Sequence, residues 1–164
     1  MVRDSCFYIG DGLLKGVTTR MLSAARDGSD LRLVSDHSDL SHFEWRDPEH
    51  ITIWHEDGYY LYEDDGSNDP EFEWHAPNGH QSYLPDKDWL VTDTYPLEKN
   101  GGRARPQSGT QHLYLYHLPT GTFVPMGRFY SPKEYLGTDP HHRVERNGKI
   151  ILFDSVHEKD GRQI

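Results

Sequence analysis

Three histidines recur in one grammar. His42 opens the run His42-Phe43-Glu44-Trp45, His80 opens His80-Gln81-Ser82-Tyr83, and His141 opens His141-His142-Arg143-Val144. A polar turn follows each, and an alternating apolar strand resumes nine residues after the histidine, at Ile51, Trp89 and Ile150. Imidazole nitrogen suits Mn, Fe, Ni and Zn, and a carboxylate neighbour shifts the preference toward Mn or Mg. Asp139 supplies that neighbour. It precedes His141 by two residues, a spacing that on an extended strand puts both side chains on one face and His142 on the other. His80, His141 and Asp139 are therefore candidate ligands of a mixed nitrogen and oxygen metal site. The same spacing has a plainer reading, in which each histidine hydrogen-bonds a neighbouring strand and does no chemistry.

The elements that must position these residues are short strands. Thr18–Ala24 reads as a strand, Asp27-Gly28-Ser29 as a hairpin turn and Leu31–Val34 as the return strand, with a helix over Thr18–Arg26 as the competing reading. Next come strands at His42–Trp45, Ile51–Trp54, Tyr59–Tyr62 and Glu71–Trp74, with the turn Asp64-Asp65-Gly66-Ser67 before the last. A further set follows Gly79, with strands at Trp89–Asp93, Leu113–Tyr116 and Phe123–Met126, and Pro96–Gln111 as an exposed loop. A new set begins near Gly137.

Four strands per repeat of roughly 40–55 residues is the pattern of a β-propeller blade, as in WD40-like repeats. The predicted fold is all-β. It comprises β-propeller blades of four antiparallel strands in an incomplete ring, with two whole and two partial blades. As one partial propeller domain, residues 1–164 divide into a partial blade at about 1–35, blades at 36–77 and 78–132, and a partial blade at 133–164. A closed ring needs about four to eight blades, so the chain is expected to be a fragment of a longer protein. First strands of propeller blades line the central channel, which would gather His42, His80 and His141 at one mouth. Trp45, Trp54, Tyr83 and Trp89 are expected to pack between blades, and Asp93 and Asp154 to satisfy turn backbone groups. His37, His50, His75, His112, His117 and His157 fall outside the repeat and read as surface residues.

Bulk composition narrows the function classes. A net charge of −10 argues against a nucleic-acid partner, because no broad basic face is available to meet phosphates. An acidic ligand would need a local cation, either an arginine cluster or a metal. The single cysteine, Cys6, allows no intrachain disulfide and points to the cytoplasm, with a periplasmic home still compatible. No stretch approaches the roughly 20 apolar residues of a membrane span, so no membrane partner is expected. There is no Gly-x-Ser-x-Gly elbow, phosphate-binding glycine loop or Cys-x-x-Cys pair. Open blade edges make self-association an expected hazard.

Several motifs together resemble a known group. They are Asn78-Gly79-His80-Gln81-Ser82-Tyr83, Val91-Thr92-Asp93-Thr94-Tyr95-Pro96, Gly127-Arg128-Phe129-Tyr130-Ser131-Pro132, Asp139-Pro140-His141 and Phe153-Asp154-Ser155-Val156-His157-Glu158. They are similar to the oligogalacturonate lyase and TolB-like bacterial β-propellers, over most of the chain after residue 36. The resemblance implies a cytoplasmic bacterial lyase that degrades short pectin fragments, with Mn²⁺ or another divalent metal at the channel mouth. It implies metal-ligand roles for His80 and His141, a catalytic role for His42 one blade earlier, and a looser match of Arg20 to an active-site arginine. Asp139-Pro140-His141 stands where the family has a His-x-His pair, and Leu136 falls near its glutamine ligand.

The implied chemistry is β-elimination on a uronide, an acidic oligosaccharide substrate. The metal offsets charge developing at the sugar carboxylate, and a base removes the C5 proton. His42 suits the base better than Arg20, because a guanidinium holds its proton far above neutral pH. Lys99, Arg103 and Arg105 are candidates to attract the anionic substrate, or simply a solvated loop. The competing function is a non-catalytic TolB-like propeller acting as a protein- or glycan-binding scaffold. A propeller appended to a peptidase is a third reading.

Overall fold

The computed structural model describes residues 2–4, 8–9, 12–13, 19–37, 39–94, 110–131, 138–156, 161 and 163–164. Every regular element among them is a β-strand, and no helix is long and apolar enough to cross a membrane. The chain forms two compact units, Met1–Glu73 and Trp74–Ile164.

The first unit begins with β1 (Val2–Asp4), the hairpin of β2 (Tyr8–Ile9) and β3 (Gly12–Leu13), then β4 (Arg20–Ser23) and β5 (Arg32–Ser35). β4 pairs antiparallel with both β1 and β5. Over the described residues 19–26 the competing helix, expected over Thr18–Arg26, does not form. Met21 and Ser23 are buried while Arg20 is exposed, the period of two that a strand imposes. Asp27 turns the chain by accepting the Ser29 N–H at 3.0 Å, and Gly28 supplies the positive φ, 83°.

A four-stranded antiparallel sheet follows in the order β6-β7-β8-β9, from β6 (Phe43–Trp45), β7 (His50–His55), β8 (Gly58–Glu63) and β9 (Glu71–His75). β9 runs across the division between the units. β7 is buried on both faces. Ile51 and Ile53 join Met21, Val34, Leu40 and Tyr62 in the core of the first unit, with Phe43, Trp45 and Tyr60 against it. Between them Thr52 faces the other way, and its hydroxyl donates to Glu73 Oε2 at 3.1 Å while Arg46 donates to Oε1 at 3.2 Å. A buried carboxylate thus ties the fourth strand back to the first two.

The second unit holds the sheet β10-β11-β12-β13, from β10 (Gln81–Tyr83), β11 (Trp89–Asp93), β12 (Thr110–His117) and β13 (Thr122–Tyr130). A hairpin of β14 (Arg143–Val144) and β15 (Ile151–Leu152) follows, with an isolated bridge from Ser155 to Gln163. β13 is an edge strand and largely exposed. Its Pro125 sits beside a register shift opposite Leu113 and Tyr114, where a missing N–H costs least. Trp54 and Tyr83 are buried. Trp89 lies beside its cross-strand partner His117, with ring centroids 4.4 Å apart.

The strands expected nine residues after each histidine start at His50, Trp89 and Ile151, each within one residue of expectation. One boundary is corrected. Thr110 and Gln111, read as loop, are buried in β12, and Gln111 Nε2 donates to the Thr138 carbonyl at 2.6 Å. Both residues extend the β12–β13 ladder, opposite Tyr130 and Phe129. The rest of the expected loop, with Lys99, Arg103 and Arg105, lies outside the described residues.

Candidate metal centre

His80 immediately precedes β10, and the β10–β11 register continues to set it opposite Asp93, the last residue of β11. Asp93 is 3% exposed. Its Oδ1 accepts the His80 backbone N–H at 2.7 Å, and its Oδ2 meets His80 Nδ1 at 2.9 Å. Gly79 makes this close approach possible, because a Cβ there would overlap the Asp93 carbonyl oxygen. Burial alone would raise the Asp93 pKa. The His142 and His80 rings at its oxygens reverse that effect and hold the carboxyl well below the usual aspartate range.

His142 completes the arrangement around Asp93. It is fully buried, its Nε2–H donates to the Val91 carbonyl at 2.9 Å, and its own carbonyl accepts from Ser82 Oγ at 3.2 Å. Its Nδ1 stands 3.6 Å from Asp93 Oδ2, beyond hydrogen-bond reach but within that of a charge interaction.

His141 precedes β14 by two residues, and its ring centroid lies 4.4 Å from that of His80. His80, Asp139 and His141 each offer one donor atom, and all three atoms lie within 4.8 Å of one another. The route to this grouping differs from the expected extended strand. Asp139-Pro140-His141 lies outside any strand, and His141 has a positive φ of 38°. His141 Nδ1 meets the Asp139 carbonyl at 3.2 Å and lies 3.8 Å from Asp154 Oδ2.

This donor set fits a divalent first-row metal. With Nδ1 of His80 held by a carboxylate, the proton is fixed on Nδ1 and Nε2 is the ligand nitrogen, the usual arrangement behind a metal-binding histidine. Two imidazoles and one carboxylate suit Mn, Fe or Zn.

The other candidates have surroundings of their own. His42 belongs to the first unit, just before β6, where its Nδ1 meets Ser41 Oγ at 3.1 Å. Arg20 is exposed at the start of β4. Arg103 and Arg105 lie outside the described residues.

Asp93, expected to satisfy turn backbone groups, accepts the His80 backbone N–H and also holds the His80 ring, and His142, expected to face away, is buried beside the same carboxylate. The signal for Asp93 is the spacing of thirteen residues shared by His80–Asp93 and His141–Asp154, and no such spacing marks His142. His37, His50, His112 and His117 are not the plain surface residues expected, since each is partly buried beside a polar or aromatic neighbour. His37 stacks on His55, His50 Nδ1 meets Asp47 Oδ1 at 2.8 Å, His112 meets the Tyr114 hydroxyl at 2.6 Å, and His117 meets Thr120 Oγ1 at 2.7 Å. His75 is exposed, and His157 lies outside the described residues.

No family model matches the chain, and no curated protein matches it in sequence. Among solved structures, the chain is similar to an oligogalacturonate lyase in complex with manganese, at TM-score 0.54 and 16% identity, covering 87% of this chain and 37% of that one. It is also similar to the oligogalacturonate lyase of Vibrio parahaemolyticus, at TM-score 0.56 and 17% identity, covering 92% of this chain and 41% of that one. The chain thus spans about two fifths of the length of these structures. At this identity the likeness shows the fold: all-β, with antiparallel blades of the propeller type.

Proposed function

We propose that this chain carries the metal centre of a lyase that cleaves oligogalacturonides by β-elimination. The observation that supports the reading best is the convergence of His80, Asp139 and His141, with His80 oriented from behind by buried Asp93. That is the donor set and support a divalent ion requires. The manganese complex among the similar structures favours Mn²⁺ as that ion.

In this reading His80, His141 and Asp139 hold the ion. When bound, it supplies Lewis-acid relief of the charge developing on the uronate carboxylate. Asp93 keeps the His80 proton on Nδ1 and so keeps Nε2 available. His42 takes the C5 proton as the C4–O bond breaks and the C4–C5 double bond forms, a role that the family resemblance implies, with Arg20 the weaker choice on acidity. Arg103 and Arg105 attract the acidic oligosaccharide. The reading treats residues 1–164 as one partial propeller domain working in the cytoplasm.

A titration of the purified chain with Mn²⁺, followed by electron paramagnetic resonance, tests the centre. The wild type is expected to bind, and H80A and H141A to lose binding. The Mn²⁺-loaded protein is then expected to form an unsaturated, ultraviolet-absorbing product from oligogalacturonides. A wild type that binds no Mn²⁺ overturns the reading.

A second reading, a non-catalytic scaffold for a protein or glycan, is favoured by β13. Phe123, Val124, Met126 and Tyr130 are exposed along this edge strand. Metal content separates the two readings, because a scaffold retains no Mn²⁺.

A further inference from the structure

In the first unit a second group of metal-type donors meets. His37, Asp39 and His55 each offer one atom, and the three atoms lie within 4.8 Å of one another. A cluster of this composition is common without an ion, so the state of His55 matters.

His55 closes β7 and is 2% exposed. Its Nε2 meets the Tyr62 hydroxyl at 2.9 Å, and that hydroxyl also accepts from Ser35 Oγ at 3.1 Å. Its Nδ1 is buried and has no hydrogen-bond partner among the described residues. A buried ring nitrogen without a partner costs on the order of 1–3 kcal/mol, and a metal bond removes that cost.

The surroundings are built to hold the ring still. His55 is stacked between His37, at 4.1 Å between centroids, and Tyr60, at 3.9 Å. His37 Nδ1 stands 3.7 Å from Asp39 Oδ1 and 3.9 Å from Glu56 Oε1. Asp39 Oδ2 accepts the Glu56 N–H at 2.8 Å, which fixes the carboxylate beside the rings. Donors in a tetrahedral site with bonds of about 2.1 Å lie roughly 3.4 Å apart, and the three atoms here fall within 4.8 Å of one another.

A turn of unequal length produces this placement. Between paired residues the β6–β7 connection is 46–50, whereas the β10–β11 and β14–β15 connections are 84–89 and 145–150. The shorter turn slips the register by one. The position opposite His42 is then Trp54, and His55 is released from the histidine–aspartate pairing seen at His80–Asp93.

We infer that His37, Asp39 and His55 form a second divalent-metal site, with His55 binding through Nδ1 and donating its Nε2–H to the Tyr62 oxygen. Two imidazoles and one carboxylate, with positions left open, select a borderline ion such as Zn²⁺.

The test uses Co²⁺, whose visible absorption reports bound nitrogen and oxygen donors, on the full chain carrying H80A and H141A. That background removes both histidine ligands of the other centre. It is expected to bind one Co²⁺ per chain, with intensified visible absorption, and to gain thermal stability on adding Zn²⁺. Adding H37A is expected to abolish both effects. His37 is only partly buried, so the core remains, and circular dichroism checks this. D39N, which keeps an acceptor for the Glu56 N–H, is expected to weaken Co²⁺ at least tenfold. No Co²⁺ bound in the H80A and H141A background, or binding unchanged by H37A, overturns the site. Either result leaves Mn²⁺ binding by the wild type untouched, so the two centres fail separately.

Discussion

Asp93 grips His80 twice, taking the backbone N–H on Oδ1 at 2.7 Å and the ring Nδ1 on Oδ2 at 2.9 Å. One buried carboxylate therefore fixes both where the histidine starts its strand and which ring nitrogen carries the proton.

The tautomer is open to direct test. In D93N the amide oxygen still accepts the backbone N–H, but the NH₂ group now donates to Nδ1 and moves the ring proton to Nε2. D93N is expected to fold and to bind Mn²⁺ about 10–100-fold more weakly, the usual range for a lost supporting contact. Isothermal titration measures it, and affinity equal to wild type would remove Asp93 from the centre.

Gly79 is expected to tolerate no side chain. In G79A the new Cβ meets the Asp93 carbonyl and carboxylate, and the neighbour that must yield is backbone. The expected loss is about 1–3 kcal/mol in urea unfolding, typical of overpacking. An unchanged midpoint would mean that the His80–Asp93 approach is looser than described.

Glu73 joins three strands, since Thr52 on β7 and Arg46 just after β6 both donate to this residue of β9. E73Q keeps an acceptor but loses the charge, and E73A leaves the buried Thr52 hydroxyl without this acceptor. The loss is expected to be larger for E73A, at about 2–3 kcal/mol, than for E73Q. Chemical denaturation of both variants checks the order.

His112 supplies a pH signature outside both centres. Burial lowers its pKa, and Arg128, its partner across β12–β13, lowers it further. The folded state therefore prefers the neutral ring. Its contribution to stability is complete above the ordinary value of 6.5 and is lost as pH falls through the lowered folded value. The His112 ring resonance is expected to titrate below 6.5 in nuclear magnetic resonance spectra. R128Q is expected to move that midpoint upward, and a midpoint above 6.5 would contradict this electrostatic environment.

The order of strands was legible from residue 20 onward. Alternation of apolar residues, Gly and Asp turns, and the nine-residue step after each histidine are local patterns, set by a side-chain period of two and by turn stereochemistry. The pairing of His80 with Asp93 was present too, as a spacing of thirteen. Its meaning was not, because one-dimensional spacing does not distinguish a turn cap from a buried clamp.

Tertiary structure alone decided the rest. Asp139 and His141 reach His80 through a proline and a left-handed residue rather than a strand, a conformation that no pattern of side chains announces. His142 is buried because Val91, fifty-one residues earlier, offers it a carbonyl. His37 and His55 meet because one turn is a residue shorter than its counterparts, and a single-residue slip redirects every side chain beyond it. Periodicity is a property of the backbone over a few residues, whereas a site is made where separate strands pack, and only that packing brought these donors together.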